Sequence, residues 1–223
     1  AATRRTGTLL IIDETHTFSN GAGGYTGVHG LEPDLFVVGK SVGGGIPVGL
    51  YGVSQSVAER LWALVPKVNP ALVRQSAHLG FGGTLAGSAL QVAAVRAVLS
   101  EVLTEPAFAS MIDKARRLAD GARRIIAASG LPWYVAQSGA RVETLYAPDP
   151  PRNASDVARH RDGVLEALLH VYFMNRGVLI TPFHSMMLMC PATADADVDR
   201  YLSVLEDFTR VLTAPRSVAP AVA

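Results

Sequence analysis

One cysteine in 223 residues, Cys190, is too few for an internal disulfide framework. It sits in the apolar stretch Met186-Met-Leu-Met-Cys190, where it reads as a small packed hydrophobe rather than a reactive thiol. An excess of either charge is also missing. Lys and Arg number 20 against 19 Asp and Glu, a net charge of +1, and no basic run offers a footprint for nucleic acid. No apolar run reaches the length of a membrane span and no signal peptide is visible, so a reducing cytoplasm fits. The common metal-site spacings, His-Glu-x-x-His and Cys-x-x-Cys among them, do not occur. What is present is hydrophobic residues, 49% of the chain, enough for one large domain or two small ones.

Two segments stand out. Leu9-Leu-Ile-Ile-Asp13-Glu14 and Leu35-Phe-Val-Val-Gly39-Lys40-Ser41 are apolar, β-branched runs that each stop at a charged residue. Strands buried on both faces of a parallel α/β sheet read this way, and in such sheets ligands collect at the carboxyl ends of the strands. Asp13 and Lys40, 27 residues apart, are therefore expected to face one crevice. The pair suits pyridoxal phosphate, whose aldehyde takes a lysine and whose pyridine nitrogen takes a carboxylate. Two ordinary strand-end charges are the alternative.

The flanking residues are more specific. Asp13-Glu-Thr-His-Thr17 and Gly39-Lys-Ser-Val-Gly-Gly-Gly-Ile-Pro-Val-Gly-Leu-Tyr-Gly52 resemble the class III aminotransferases. The branch most similar holds glutamate-1-semialdehyde aminomutase and the β-amino acid aminotransferases. Gly82-Gly-Thr-Leu-Ala-Gly-Ser-Ala-Leu90 resembles the family's phosphate-contacting segment, and Asn175-Arg-Gly-Val-Leu-Ile-Thr-Pro182 its C-terminal domain. The matching segments run from about Thr6 to about Leu212. The resemblance implies part of the PLP-dependent transferase fold type I large domain, an α/β unit, followed by a small α+β C-terminal domain. It also implies that this chain is the C-terminal portion of a longer one, because the family places roughly half of its length before the aspartate. The abrupt entry into a core strand points the same way.

By that resemblance Lys40 carries the Schiff base to pyridoxal 5'-phosphate, Asp13 pairs with the pyridine nitrogen, and Thr15 lies against the ring face. Gly83 and Thr84 serve the phosphate, with Thr84 reaching that of a neighbouring subunit, so a homodimer with a shared site is implied. The substrates would be a small amino donor and a keto acid acceptor. From the residues themselves, Thr84 follows two glycines and is expected to open a long helix, its hydroxyl and first N–H groups pointing beyond the helix end; a plain N-cap is the alternative. Arg141 and Arg176 are candidates for a substrate carboxylate. His16 departs from the family's commoner residues and has no assigned role. His29 and His184 read as structural or substrate-side residues, and Glu14 as structural, on the opposite strand face from Asp13.

Pattern divides the chain into 1–105, the C-terminal part of the cofactor-binding large domain, 106–213, the small C-terminal domain, and a tail 214–223. Core strands are expected at Thr6–Asp13, Asp34–Gly39 and Val48–Val53, and a glycine-rich loop at Ser19–Gly27. Helices are expected at Ser56–Val65, Thr84–Leu103 and Phe108–Ala128, with a loop at Pro66–Gly83. Further on come short strands at Trp133–Ala136 and Arg141–Tyr146, a helix at Val157–Asn175, strands at Val178–Thr181 and Met186–Cys190, and a helix at Asp197–Leu212 that Thr193 could cap. Three functions remain open: an aminotransferase, the aminomutase, and an inactive fragment needing its N-terminal half. Gly43-Gly-Gly-Ile-Pro-Val-Gly49 resembles the aminomutase, but Asp13-Glu-Thr-His-Thr17 departs from its usual Asp-Glu-Val-x-Thr, and Pro182-Phe-His184, followed by Met186-Met-Leu, is more similar to the β-amino acid aminotransferases, which favours the first.

Overall fold

The computed structural model describes residues 2–64, 83–182 and 185–215. The chain divides into two compact units, Ala1–Phe108 and Ala109–Ala223. The expected loop at 66–83 (Gly83 apart), His184, and the tail beyond 215 lie outside the described residues.

In the first unit, helix α1 (Ala2–Thr6) precedes β1 (Ile11–Asp13), so the expected strand from Thr6 is confined to its last three residues. Gly7 takes a left-handed φ of 68° and ends the helix. Arg4 donates to Asp34 Oδ1 at 2.8 Å, and the Leu10 N–H donates to Asp34 Oδ2 at 2.8 Å. That carboxylate aligns the chain for β1. β1 pairs in parallel with β2 (Leu35–Val38), Asp13 opposite Val37, and β2 pairs antiparallel with β3 (Leu50–Val53). The sheet order β1-β2-β3 leaves β1 at an edge, and Ile11 is 59% exposed, so this strand is not covered on both faces as its composition suggested. The glycine-rich stretch expected to be irregular holds a 3-10 turn, Thr17–Asn20, and a short helix α2 (Gly24–Val28). Helix α3 spans Gln55–Leu64. Phe18, Val38, Val42, Val57, Val98 and Phe108 form the core of this unit, with Phe18 and Phe108 edge to face at 6.2 Å.

Helix α4 (Ala89–Ala97) continues as a π turn, Val98–Val102, and helix α5 runs from Glu105 to Ser129. In the second unit α5 buries Met111, Ala115, Leu118, Ala119, Ala122 and Ile126, a stripe at helical spacing. Strands β4 (Tyr134–Ser138), β5 (Arg141–Leu145) and β6 (Ser185–Leu188) form an antiparallel sheet in chain order. Val178–Thr181 joins no ladder; β6 occupies that edge of β5, and the Ile180 carbonyl instead meets His170 Nδ1 at 2.9 Å.

The single helix expected at 157–175 is two, α6 (Ala154–Arg159) and α7 (Gly163–Met174). The Asp162 carboxylate accepts from the Val164 and Leu165 amides at 3.0 Å and starts a new helix there. Helix α8 spans Asp195–Thr213 and begins at Ala194, not Thr193. Asp197 Oδ2 accepts the Ala194 N–H at 2.8 Å, while the Thr193 hydroxyl accepts the Cys190 N–H at 3.0 Å. Cys190 itself is exposed, beyond the end of β6, which corrects its assignment as a packed hydrophobe; the Thr193 hydroxyl at 3.4 Å holds its thiol pKa below the usual value. Among the described residues no helix is long and apolar enough to cross a membrane.

Phe173 is the centre of this second core. Its ring is fully buried and lies 5.2 Å from Tyr201 and 6.0 Å from Phe208, both on α8. Phe173→Ala leaves a cavity among side chains that cannot all collapse into it, with an expected cost of about 3–5 kcal/mol. Urea titration followed by tryptophan fluorescence measures it; a loss under about 1 kcal/mol would remove Phe173 from this central role.

Candidate active site

Parallel pairing of β1 with β2 brings the two sequence-derived candidates to the same end of the sheet. Asp13 is the last residue of β1, and Lys40 follows two residues after β2 ends at Val38. Both are exposed there. The Thr15 amide donates to Asp13 Oδ1 at 2.8 Å. The Thr15 hydroxyl, then this N–H, hold the Asp13 carboxyl below its ordinary pKa; partial desolvation opposes them, and the charges of Lys40 and His16 add to the lowering. Asp13 is thus an anion within electrostatic reach of Lys40.

Lys40 is the only non-glycine residue with a positive φ, 54°, among the described residues. A left-handed backbone costs an L-residue about 1–2 kcal/mol, and such strain persists only where surrounding structure imposes it. Here the constraint is packing around a 3-10 turn, Lys40–Gly43. A Cβ on Gly43 would stand 2.5 Å from Val48 Cγ1, and one on Gly44 (φ 58°) would stand 2.6 Å from Val98 Cγ2 in the π turn. Gln91 Nε2 donates to the Pro47 carbonyl at 2.9 Å. The glycine run after Lys40 therefore admits side chains from β3's approach and from α4 directly against the turn. Before it, Thr15 lies beside Gly39, its Oγ1 3.8 Å from where a Cβ on that glycine would stand.

Glu14, set aside as structural, is the most heavily bonded side chain of the region. It is completely buried. Its carboxylate accepts from the Thr17 hydroxyl, the Tyr25 amide at 3.1 Å, and both the amide and the hydroxyl of Thr26. It thereby caps α2 from outside, since Gly23 at the N-cap has no side chain to do so. Gly24 (φ 69°) is required at close quarters: a Cβ there would lie 2.7 Å from Glu14 Oε2. Burial pushes the Glu14 pKa up, and the hydrogen bonds from Thr17, Thr26 and Tyr25 together outweigh it, leaving the carboxyl below its usual value. Glu14 is structural, as its strand face implies, and the sequence signal for the network around it is the glycine-rich stretch 21–24 downstream.

Thr84 does not open a helix. It lies exposed in a turn in which the Ala86 N–H meets the Gly83 carbonyl at 2.9 Å and Gly87 has φ 71°; the helix begins at Ala89 behind Ser88. Gly83 is exposed in the same turn. His29 stacks on Tyr25, ring centroids 3.9 Å apart. Arg141 and Arg176 belong to the second unit. Arg141 is half-buried on β5, which lowers its pKa against the opposing effect of Glu143. Arg176 lies over the Tyr172 ring at 3.5 Å, with its own carbonyl accepting from Arg200, so it is held at the end of α7. No cluster of metal-ligating side chains occurs among the described residues.

A family model for class-III aminotransferases matches residues 1–208. The chain belongs to the class-III aminotransferases. Glutamate-1-semialdehyde 2,1-aminomutase of Desulforudis audaxviator is 30% identical over 211 residues, 92% of this chain and 45% of the relative. A crystal structure of a glutamate-1-semialdehyde aminomutase from Pseudomonas aeruginosa PAO1 is 50% identical, with a TM-score of 0.88 over 95% of this chain and 46% of that one. A β-phenylalanine aminotransferase from Variovorax paradoxus is 25% identical, with a TM-score of 0.81 over 96% and 47%. The chain thus spans a little under half the length of the proteins it matches. Its fold is that of the fold type I PLP-dependent enzymes, and another solved form of the Pseudomonas protein, 51% identical, is a complex with PMP. The residues present fit this cofactor: an amine and an ionised carboxylate at one sheet end, beside a glycine run in which Gly45 has nothing within 4 Å of where a Cβ would stand.

Glu14 also sets an acid limit on stability. Because its folded pKa is depressed, it contributes stability above the unfolded value near about 4.3, and that contribution is lost as pH falls through the lower folded pKa. Glu14→Gln should therefore lower stability at neutral pH and flatten the decline between about pH 5 and 3. Denaturant midpoints across that range measure the slope; an unchanged slope would mean the carboxyl is protonated when buried.

Proposed function

We propose that the intact protein is a PLP-dependent aminotransferase that moves an amino group from an amino acid, a β-amino acid being one candidate, or an amine to a 2-keto acid. The observation that carries this reading is the placement of Asp13 and Lys40 together at the carboxyl end of a parallel strand pair, inside a chain of the class-III family. When bound, the cofactor supplies an aldehyde for the amino group and a ring that accepts electrons from the substrate's Cα. Lys40 would hold the cofactor through its amine and would be the base that moves a proton at the substrate's Cα. The negative charge of Asp13 would favour a protonated pyridine nitrogen, and Thr15 would lie on the cofactor side of the same turn. Borohydride reduction of the holoprotein should fix the cofactor on Lys40, and a reduced adduct mapped to Lys67 or Lys114 would overturn the assignment. Asp13→Asn should lower turnover by about 10²–10³, the typical loss when one electrostatic partner of a developing charge is removed, with a smaller effect on cofactor affinity; near-normal turnover would remove Asp13 from this role.

A second reading, the glutamate-1-semialdehyde aminomutase, is favoured by the 50% identity to the Pseudomonas protein of that name. A panel of β- and ω-amino acids with pyruvate or 2-oxoglutarate, run beside glutamate-1-semialdehyde, separates the two. Residues outside this chain would complete either site, so the assay requires the intact protein.

The same proposal includes a homodimer in which Gly83 and Thr84 contact the phosphate bound by the partner subunit. Support comes from the exposure of Thr84 and of the apolar residues that follow, Leu85 at 75% and Leu90 at 65%, with Val92, Leu99 and Val102 also open. Mixing inactive Lys40→Ala subunits with an inactive Thr84→Val variant should restore activity, because one site of the mixed dimer then carries both lesions and the other neither. Absence of recovery after demonstrated subunit exchange would show that Thr84 serves its own subunit or no phosphate.

A further inference from the structure

Glu14 has a property that a packing residue does not need: it is a fully buried, ionised carboxylate whose four donors come from Thr17, Tyr25 and Thr26. Directional bonds to a buried charge specify one geometry, and a partly satisfied network of this kind is costly, so the segment from Glu14 to Thr26 is held in a single arrangement. The backbone of Glu14 is tied as well. Its N–H donates to the Val37 carbonyl at 2.7 Å, extending the β1–β2 ladder, and its carbonyl accepts the Phe18 N–H at 2.8 Å. Thr15 sits between these restraints. Thr15 in turn donates its N–H to Asp13, and its side chain lies beside Gly39, the residue before Lys40, 3.8 Å from where a Cβ on that glycine would stand. Asp13 is exposed, and Thr15, through its amide at 2.8 Å and its hydroxyl, is the residue that orients it.

We propose that Glu14 is a positioning residue of the active site, its buried carboxylate fixing Thr15 and, through Thr15, the direction of the Asp13 carboxylate and the approach of Gly39–Lys40. This rests on the reading of Asp13 as partner of the pyridine nitrogen. The role is indirect: Glu14 touches neither substrate nor cofactor. It acts because an exposed carboxylate oriented by one residue follows whatever holds that residue, and an electrostatic partner displaced by an ångström loses much of its effect on the ring.

The test uses the intact protein with PLP, comparing wild type with Glu14→Gln, Thr26→Val and Thr26→Ser. Three quantities are read: cofactor affinity by fluorescence titration of the apoprotein, the pH midpoint of the bound cofactor's absorption, and the melting temperature of the apoprotein. Glu14→Gln and Thr26→Val should weaken PLP binding at least tenfold and displace the absorption midpoint, at temperatures where their far-UV spectra match wild type. Thr26→Ser, which keeps the hydroxyl donor, should restore both. Binding within twofold of wild type and an unmoved midpoint, whatever happens to the melting temperature, would overturn the proposal and leave Glu14 a stabilising group alone. Failure of every variant to fold, Thr26→Ser included, would overturn it too, by making the network a condition of folding. A wild-type protein in which borohydride fixes no cofactor on Lys40 would instead bring down the functional reading itself, a result seen without any variant at Glu14 or Thr26.

Discussion

The site depends on the parallel register of β1 against β2. Asp13 opposite Val37 is a pairing in which both chains run the same way, so the residues that follow each strand leave the sheet on one side. An antiparallel pair would send the segment after Asp13 and the segment after Val38 to opposite ends, and no rearrangement of side chains could bring an acid and a lysine together. The Asp34 carboxylate, by binding Arg4 and the Leu10 amide, holds the start of β1 in this register from the far end of the pair. A single carboxylate at one end of the strands thus has consequences at the other.

Two carboxylates organise this unit in similar ways and with different exposure to charge. Asp34 is paired with an arginine at the surface, whereas Glu14 is satisfied by neutral donors in the interior. The second arrangement is the more demanding. Burial opposes its charge and the hydrogen bonds from its donors outweigh that opposition, and the glycine at 24 exists because no side chain can stand where Glu14 already is. Glycine-rich loops are usually described as permissive; this one is shaped by contact.

Much of the chemistry was legible in the sequence because it lies at strand ends, where an apolar run meets a charge. Lys40 and Asp13 announce themselves in that way, and the Gly43-Gly-Gly45 run marks the turn beside them. Boundaries set by local capping were harder. Asp162 splits what hydrophobic spacing presents as one helix, since Val157 before it stands in pattern with the apolar residues of the twelve-residue helix after it. Thr84 follows glycines in the manner of a helix start, yet Gly87 closes a separate turn first and moves the helix to Ala89. Glu14 was invisible for a different reason. Its face of the strand is inferred to be structural from alternation alone, and nothing in sequence spacing shows that Thr17, Tyr25 and Thr26 fold back onto it.

The contact between Gly44 and Val98 joins residues more than fifty positions apart. The turn that strains Lys40 is therefore not a local property of the Gly39–Gly45 stretch. During synthesis the lysine leaves the ribosome well before the helix whose π turn forms the wall behind it. A nascent chain that ends short of Val98 contains every residue of the motif without the packing that imposes its backbone, so that backbone is acquired late, with the docking of the π turn.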